Sequence, residues 1–327
     1  ELMLMPDDEV HYHLELTDND IISGPKKTIS NKLVAKVPSL ADLYEEIESK
    51  EENIEQKFSE SIDELVDLKS KIEEMELNVL KAEDELQWED QQKIKELVEN
   101  AKEELNKIKD ISDAMETLLD KSEKHNLFLP DLAEKFKELS NLINEILPED
   151  MMDNLNELQN SLEDMNLESL QKSLEQMANN LEEIESELDR YIDIFKRLKA
   201  EQKLDELKNR IEKLVQQKDK LNDDINNIKN EGKINDGQRI AQEEQRLLEE
   251  LTQLNKEMEQ ASKLIEPFSE TSAAELSELG SNEEFKNTKN DIKTTISNLQ
   301  KSKNKKAKSS SNDALNGLYN MQNSFSM

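Results

Sequence analysis

Hydrophobic residues recur at spacings of three and four along most of the chain. Such spacing places apolar side chains on one stripe of an α-helix, as in a coiled coil. Two positions of a heptad repeat hold mostly apolar residues. The first position holds Leu40, Ile47, Ile54, Ser61, Leu68, Met75 and Ala82. The second position holds Tyr44, Glu51, Phe58, Leu65, Ile72, Val79 and Leu86. The pattern predicts one helix from about residue 39 to about residue 126, with a slip in phase at "QWEDQQ". Ser39 as N-cap and Asp42 three residues later mark its start.

A second long run of the same kind predicts a helical arm over about residues 149–230. Its seam is Leu167, Leu170, Leu174, Met177, Leu181, Ile184, Leu188, Tyr191, Phe195 and Leu198. After a slip near Ala200 the series continues to Ile228.

Proline and glycine punctuate this helical pattern. Turns are predicted near residues 127–131, 148 and 231–237. Between the first two turns we expect a short helix at about 131–147. After the third turn we expect a helix that ends at Pro267. Shorter helices are predicted from 267 to 300.

The two long arms, 39–126 and 149–230, are similar in length. A long amphipathic helix cannot shield its apolar stripe alone. We therefore expect an antiparallel helical hairpin in which one seam covers the other. A parallel homodimer is the competing arrangement, since no single buried Asn at a seam position fixes strand number or direction.

Residues 8–38 follow a different period. Val10, Tyr12, Leu14 and Leu16 alternate with His11, His13 and Glu15, which is typical of a half-buried strand. "DNDIISGPKK" supplies turn residues, with Gly24 suited to positive φ, and "TISNKLVAKV" predicts a second strand. A lone hairpin is marginal in water. Residues 1–38 are therefore interpreted as the end of a β-sandwich-like domain whose other strands precede Glu1.

Composition favours long helices over a compact core. The chain has 327 residues, of which 36% are charged and 4% aromatic, with five glycines and no cysteine. The absence of cysteine excludes thiolate zinc sites and disulfides. The net charge of −33 disfavours nucleic acid and anionic lipid as partners. No apolar run approaches the roughly 20 residues of a membrane span.

The C-terminal segment, 301–327, is interpreted as a basic linker with a polar tail. Its cluster is Lys301, Lys303, Lys305, Lys306 and Lys308. A solvated tract is the favoured interpretation, and contact with a lipid headgroup or an acidic partner is the alternative. Ser309, Ser310 and Ser311 are expected to be linker residues rather than nucleophiles.

No sequence motif indicates catalysis, a cofactor or a metal. The chain has neither a phosphate-binding loop nor an H-E-x-x-H pair. His11 and His13 share a strand face, yet no third ligand lies near them in sequence. Trp88, the only tryptophan, is expected to pack at a helix contact rather than against a ligand. Methionines are expected as seam fillers, a binding groove being the alternative: Met151, Met152, Met165, Met177 and Met258.

Two segments resemble an uncharacterised family of bacterial membrane-anchored coiled-coil proteins, a domain of unknown function. They are "TDNDIISGPKKTISNKLVAKVPSLADLYEE", residues 17–46, and "ELDRYIDIFKRLKAEQKLDELKNRIEKLVQQ", residues 187–217. The resemblance implies N-terminal membrane helices, an immunoglobulin-like β domain and then long periplasmic helices. It implies no catalytic residues, a place on the periplasmic side of the inner membrane, and membrane contact only through segments missing from this chain.

The fold class predicted is thus mainly α, with long coiled-coil helices and a short β-hairpin. The function expected is a non-enzymatic envelope rod that contacts protein partners, or further copies of itself, through helix–helix contacts. The alternatives are a regulatory arm for a separate enzyme or ATPase, and an enzyme whose catalytic domain lies outside this chain.

Overall fold

A computed structural model describes residues 9–19, 24–82, 86–146, 149–228 and 234–325, and it confirms a mainly α fold. The chain divides into two compact units, Glu1–Lys50 and Glu51–Met327. The helices are α1 (Leu40–Lys81), α2 (Trp88–His125), α3 (Pro130–Glu145), α4 (Glu149–Glu163), α5 (Leu167–Asn227), α6 (Ile234–Ile265), α7 (Glu270–Ser281), α8 (Glu283–Gln300) and α9 (Asn304–Ser324). None of them is long and apolar enough to cross a membrane, within the residues described.

A bent β-hairpin forms most of the first unit. The strands are β1 (Glu9–Tyr12), β2 (Glu15–Thr17), β3 (Lys27–Ile29) and β4 (Leu33–Lys36), and β1 pairs antiparallel with β4 as β2 does with β3. Two residues separate β1 from β2 and three separate β3 from β4, so the second strand bulges by one residue. The Ser30 side chain fills this gap, because its Oγ accepts the Leu14 N–H at 2.9 Å.

The predicted hairpin and its turn glycine are confirmed, with Gly24 at φ 82. Residues 20–23 of the predicted turn lie outside the described residues. The prediction of a half-buried face holds for Val10 but is wrong for Tyr12, Leu14 and Leu16, which are 44%, 64% and 74% exposed. The β-sandwich stays a prediction.

The predicted start of α1 is confirmed in detail. Ser39 Oγ accepts the Asp42 N–H at 3.0 Å, and the Asp42 carboxylate accepts the Ser39 N–H at 2.9 Å. This reciprocal pair is a capping box that satisfies two amides at the start of the helix.

The prediction of one helix from 39 to 126 is wrong. Helix α1 ends at Lys81, and α2 begins at Trp88 and runs back along α1. The Lys57 ammonium, early in α1, donates to the Asp110 carbonyl late in α2 at 3.3 Å, whereas Met75 faces the same cavity as Leu97. The apparent phase slip at "QWEDQQ" is therefore the start of a second, antiparallel helix.

The predicted antiparallel pairing of the two arms holds for α1 and α5. Three contacts run in opposite sequence directions: Glu55 to Lys199 at 3.2 Å, Phe58 to Phe195 at 5.9 Å between ring centroids, and Lys69 to Glu182 at 3.0 Å. The predicted seam positions from Ile47 to Leu86 are buried, including Glu51 and Ser61, except Ala82, which is half-buried.

Helices α3 and α4 join α1, α2 and the first half of α5 in a group of helices that we call the first bundle. Helix α3 folds back on α2, where Ser112 and Ser140 are hydrogen-bonded at 2.9 Å, and it also contacts α5 through Phe136. Helix α4 packs on α5 after a break at residues 164–166 that the sequence pattern did not indicate. The break expected at Pro148 lies outside the described residues.

The second half of α5 belongs to another apolar core, shared with α6, α7, α8 and α9. Its members include Leu207, Ile211, Leu214, Leu221, Ile225, Leu247, Leu251, Leu254, Met258, Phe285, Ile292, Ala314 and Leu318. Helix α5 is thus the one element in the described residues that lines both bundles, over a length of about 90 Å.

The interpretation of 301–311 as a linker is wrong, because α9 begins at Asn304. Ser310 and Ser311 are buried, and the Thr295 hydroxyl of α8 lies 2.8 Å from the Ser310 hydroxyl. Gly317 packs so closely on Thr288 that a Cβ there would lie 2.0 Å from its hydroxyl oxygen. The small side chains that suggested a solvated tract allow two helices to approach closely.

Candidate interaction site

Charged residues with little or no exposure connect helices of the second bundle in two groups, which we call the charge ladder. The first group is Lys203, Glu206, Arg210 and Glu257, and the second is Lys218 and Glu244. Arg210 of α5 is 1% exposed and contacts Glu206 at 3.1 Å and also Glu257 of α6. Lys203 lies 2.9 Å from Glu206. Burial raises the pKa of Glu206, although the neighbouring lysine and arginine favour its ionised form.

The second group of the charge ladder is completely shielded from solvent. Lys218 of α5 and Glu244 of α6 form an ion pair and each is 0% exposed. The Lys218 ammonium also donates to the Ser311 hydroxyl of α9 at 2.9 Å. Burial lowers the pKa of Lys218 and raises the pKa of Glu244. Desolvation therefore opposes the charge on both partners, and their close contact together with the Ser311 hydrogen bond offsets it.

This ladder joins helices rather than presenting chemistry to a substrate. Its charged groups form ion pairs and a hydrogen bond among α5, α6 and α9. Among the described residues of this ladder, Glu244 Oε2 and both Nε and Nη2 of Arg210 have no hydrogen-bond partner. All three atoms are shielded from solvent, so none of them faces an open cavity.

The sequence contains a signal for the Lys218–Glu244 pair that the apolar spacing alone does not reveal. Lys218 occupies the seam position between Leu214 and Leu221, and Glu244 occupies that between Ile240 and Leu247. Charged residues at the seam positions of two helices indicate a buried ion pair when those helices face each other.

A cavity lies between α5, α7 and the end of α9. It has a volume of about 580 Å³ and opens to solvent. Its apolar lining is Leu204, Leu276, Leu279 and Phe325. Its charged lining is Asp205, Lys208, Glu275 and Glu278. We call this cavity the α5–α7 groove.

Three large apolar side chains, near the end of α1 and at the start of α2, are exposed. Trp88 is 74% exposed, Leu77 55% and Leu80 53%. Glu89 and Asp90 follow Trp88 in the first turn of α2. We call Leu77, Leu80 and Trp88 the tryptophan patch. The expectation that Trp88 packs at a helix contact is wrong.

The other residues considered from sequence do not converge on one site. His11 and His13 are exposed and lie 3.2 and 3.5 Å from Glu9 and Glu15 respectively. No group of three or more potential metal ligands occurs in the part of the chain that the structure describes.

The methionines and the C-terminal lysines singled out from the sequence also lie in different environments. Met151, Met177 and Met258 are buried as expected, whereas Met165 is 47% exposed; the side chain of Met152 lies outside the description. The cluster Lys301, Lys303, Lys305 and Lys306 is exposed at the turn before α9 and in its first residues, and the Lys308 ammonium donates to the Asn226 carbonyl at 2.6 Å.

Comparison of the chain with protein-family models, with curated proteins and with solved structures found no match.

Proposed function

We propose that this chain is a non-enzymatic helical scaffold that binds other proteins. The supporting observation is the tryptophan patch, in which the only Trp of the chain is 74% exposed. Exposed tryptophan is unfavourable in water and is strongly enriched among residues that dominate binding energy at protein interfaces.

The charge around the patch defines the type of partner. Glu89 and Asp90 lie directly beside Trp88, within a chain of net charge −33. Anionic membranes and nucleic acids would be repelled. A protein surface with an apolar pocket and basic rim fits best. From the resemblance noted above, we propose that the chain acts as a rod on the periplasmic side of a bacterial inner membrane.

The test is affinity capture of partners with the full chain and with Trp88→Ala. The same co-purifying proteins should be recovered with the wild type and with Tyr319→Ala, a control that removes an aromatic side chain 41% exposed elsewhere. Loss of a specific protein only with Trp88→Ala supports the proposal. Equal recovery with all three chains contradicts it.

The second candidate function is a regulatory arm for a separate enzyme or ATPase. Helix α5 favours it, since this single 61-residue helix lines both bundles and is a rigid connection between them. A partner whose catalytic rate is unchanged by the full chain, although it binds, would contradict this candidate.

A further inference from the structure

We propose that the α5–α7 groove binds an amphipathic helix that carries apolar residues on one face and Lys or Arg beside them. This inference rests on the proposed function, since it defines a second surface of the same scaffold and the chemistry of its partner.

The shape of the groove indicates a helix. Both long walls are helices, and α7 lies against α6 while leaving space between itself and α5. Leu279 lines this space from α7 and Leu204 lines it from α5, whereas Leu276, one turn before Leu279, is only 4% exposed and belongs to the second core. A volume of about 580 Å³ accommodates several large side chains. Helices in such grooves are held by anchors spaced three and four residues apart.

The apolar lining is incompletely covered by the chain itself. Leu204, Leu279 and Phe325 are partly buried hydrophobic residues that pack on the second core and retain exposed surface. Their remaining surface faces the groove, so a partner helix with leucine-sized anchors would remove it from water.

The charges define the flanks of the partner. Three carboxylates and one lysine line the groove, which leaves an excess of negative charge. Burial raises the pKa of Asp205, although the neighbouring Lys208 favours its ionised form. A basic side chain beside it would supply a charged donor where the groove has removed water.

The experiment uses a synthetic 18-residue peptide of leucine and lysine, patterned as an amphipathic helix, and the same peptide with glutamate in place of lysine. The natural chain has no cysteine, so Ser324→Cys, at the edge of the groove, accepts one environment-sensitive dye. Ser70→Cys, exposed on α1, is the matched reporter away from the groove.

The lysine peptide should shift the emission of the dye at position 324 and not at position 70, and the glutamate peptide should shift neither. Substitution of Asp205→Asn, Glu275→Gln and Glu278→Gln together should weaken binding about tenfold, since three exposed ion pairs are lost. The matched control is Glu52→Gln, Asp63→Asn and Glu73→Gln on α1, which removes the same charge and should leave affinity within about twofold.

Equal weakening by both triple variants would overturn the proposal, because the peptide would then respond only to net charge. An unshifted dye at position 324 would overturn it as well. Far-ultraviolet circular dichroism of each variant checks that the helices remain. Trp88→Ala should bind the peptide normally, so loss of the groove interaction alone would leave the tryptophan patch and the proposed function intact.

Discussion

At the scale of single residues, this chain ends several helices without glycine. Asn126, Met165 and Ser302 have positive φ angles, of 51°, 53° and 56°. The amides that follow each of them bond back across the last turn, as Asn166 N–H does to the Ser161 carbonyl at 3.1 Å. This is the Schellman arrangement, in which glycine is the usual residue because a Cβ crowds the left-handed conformation.

Met165→Gly should therefore stabilise the protein. The side chain is 47% exposed, so its removal sacrifices little burial, and relief of the left-handed conformation is worth roughly 1 kcal/mol. Urea unfolding should show a higher midpoint with an unchanged slope. Asn126→Gly is the comparison, and its gain should be smaller because Asn tolerates this conformation. A lower midpoint for Met165→Gly would contradict the expectation.

The capping box of α1 gives a prediction in pH. The backbone hydrogen bond from Ser39 holds the pKa of Asp42 below its usual value of 3.8. A depressed folded pKa means that Asp42 stabilises the folded state above pH 3.8 and loses this contribution as pH falls through its folded pKa. Asp42→Ala should be less stable than wild type at pH 7, with the difference shrinking toward pH 2. A difference that stays constant with pH would contradict this origin.

These residue-scale features were partly accessible from sequence. Ser39 and Asp42 have the spacing of a capping box, and that pattern is local, so it was predicted correctly. The exposure of Trp88 was not predictable from spacing, since aromatic residues near a seam are usually buried. Its placement depends on where α1 turns back, which is a tertiary feature.

At the scale of elements, α9 contains unfavourable electrostatics. Its first turn has no acidic residue and carries Lys305 and Lys306, both exposed, and its N-cap side chain makes no capping hydrogen bond among the described residues. Cations are unfavourable at the positive end of a helix.

Lys305→Glu and Lys306→Glu should each raise stability by about 0.3–1 kcal/mol at low salt, and the gain should decrease as salt is added. Lys305→Gln separates removal of the cation from addition of an anion and should give an intermediate value. Thermal unfolding at two salt concentrations measures both effects. A loss of stability at low salt would indicate that the lysines make a favourable contact in the folded chain.

The enclosed Lys218–Glu244 pair gives a sharper test between α5 and α6. Lys218→Met leaves the Glu244 carboxylate buried without its partner, and should destabilise by about 3–5 kcal/mol. The double variant Lys218→Met, Glu244→Leu should recover most of this loss, because the desolvation penalty disappears with both charges. A double-mutant cycle in urea measures the coupling. A double variant destabilised by the sum of the losses of Lys218→Met and Glu244→Leu would show that the pair is not coupled.

Helix assignment from the sequence was correct where the apolar spacing is strong, as in α5 and α6. It was wrong in continuing the helix past Lys81, because the sequence has neither glycine nor proline before α2 begins at Trp88 and the apolar series continues in both helices. It was also wrong for the start of α9, where Ala307, Ser310 and Ser311 fold as helix through close contact with α8 and α5 rather than through propensity.

At the scale of the unit Glu51–Met327, two apolar cores are joined by one helix. Phe58 and Phe136 meet Phe195 in the first core, and the second core begins at Ala200. The antiparallel pairing of α1 with α5 was predictable from the matching seams. The second core was not, because the pattern gave each later helix an apolar face without saying which faces meet, and the groove depends on that arrangement.

The continuity of α5 between the cores makes a final prediction. Arg197 is an exposed residue at this junction, and its guanidinium lies 5.9 Å from the centre of the Phe268 ring. Arg197→Pro removes a helical hydrogen bond and should cost about 3 kcal/mol locally. If α5 couples the cores, wild type should unfold as one cooperative unit, whereas Arg197→Pro should separate the unfolding of α2 from that of α8.

Hydrogen exchange measured against denaturant follows the amides of α2 and α8 separately. Arg197→Ala is the matched control, because it removes the contact with Phe268 and keeps the helix, and its two sets of amides should still be lost together. Coincident unfolding of α2 and α8 in the proline variant would show that contacts beyond α5 hold the bundles together. Separate unfolding already in the wild type would show that an intact α5 transmits nothing between them, which would also remove the support for a regulatory arm.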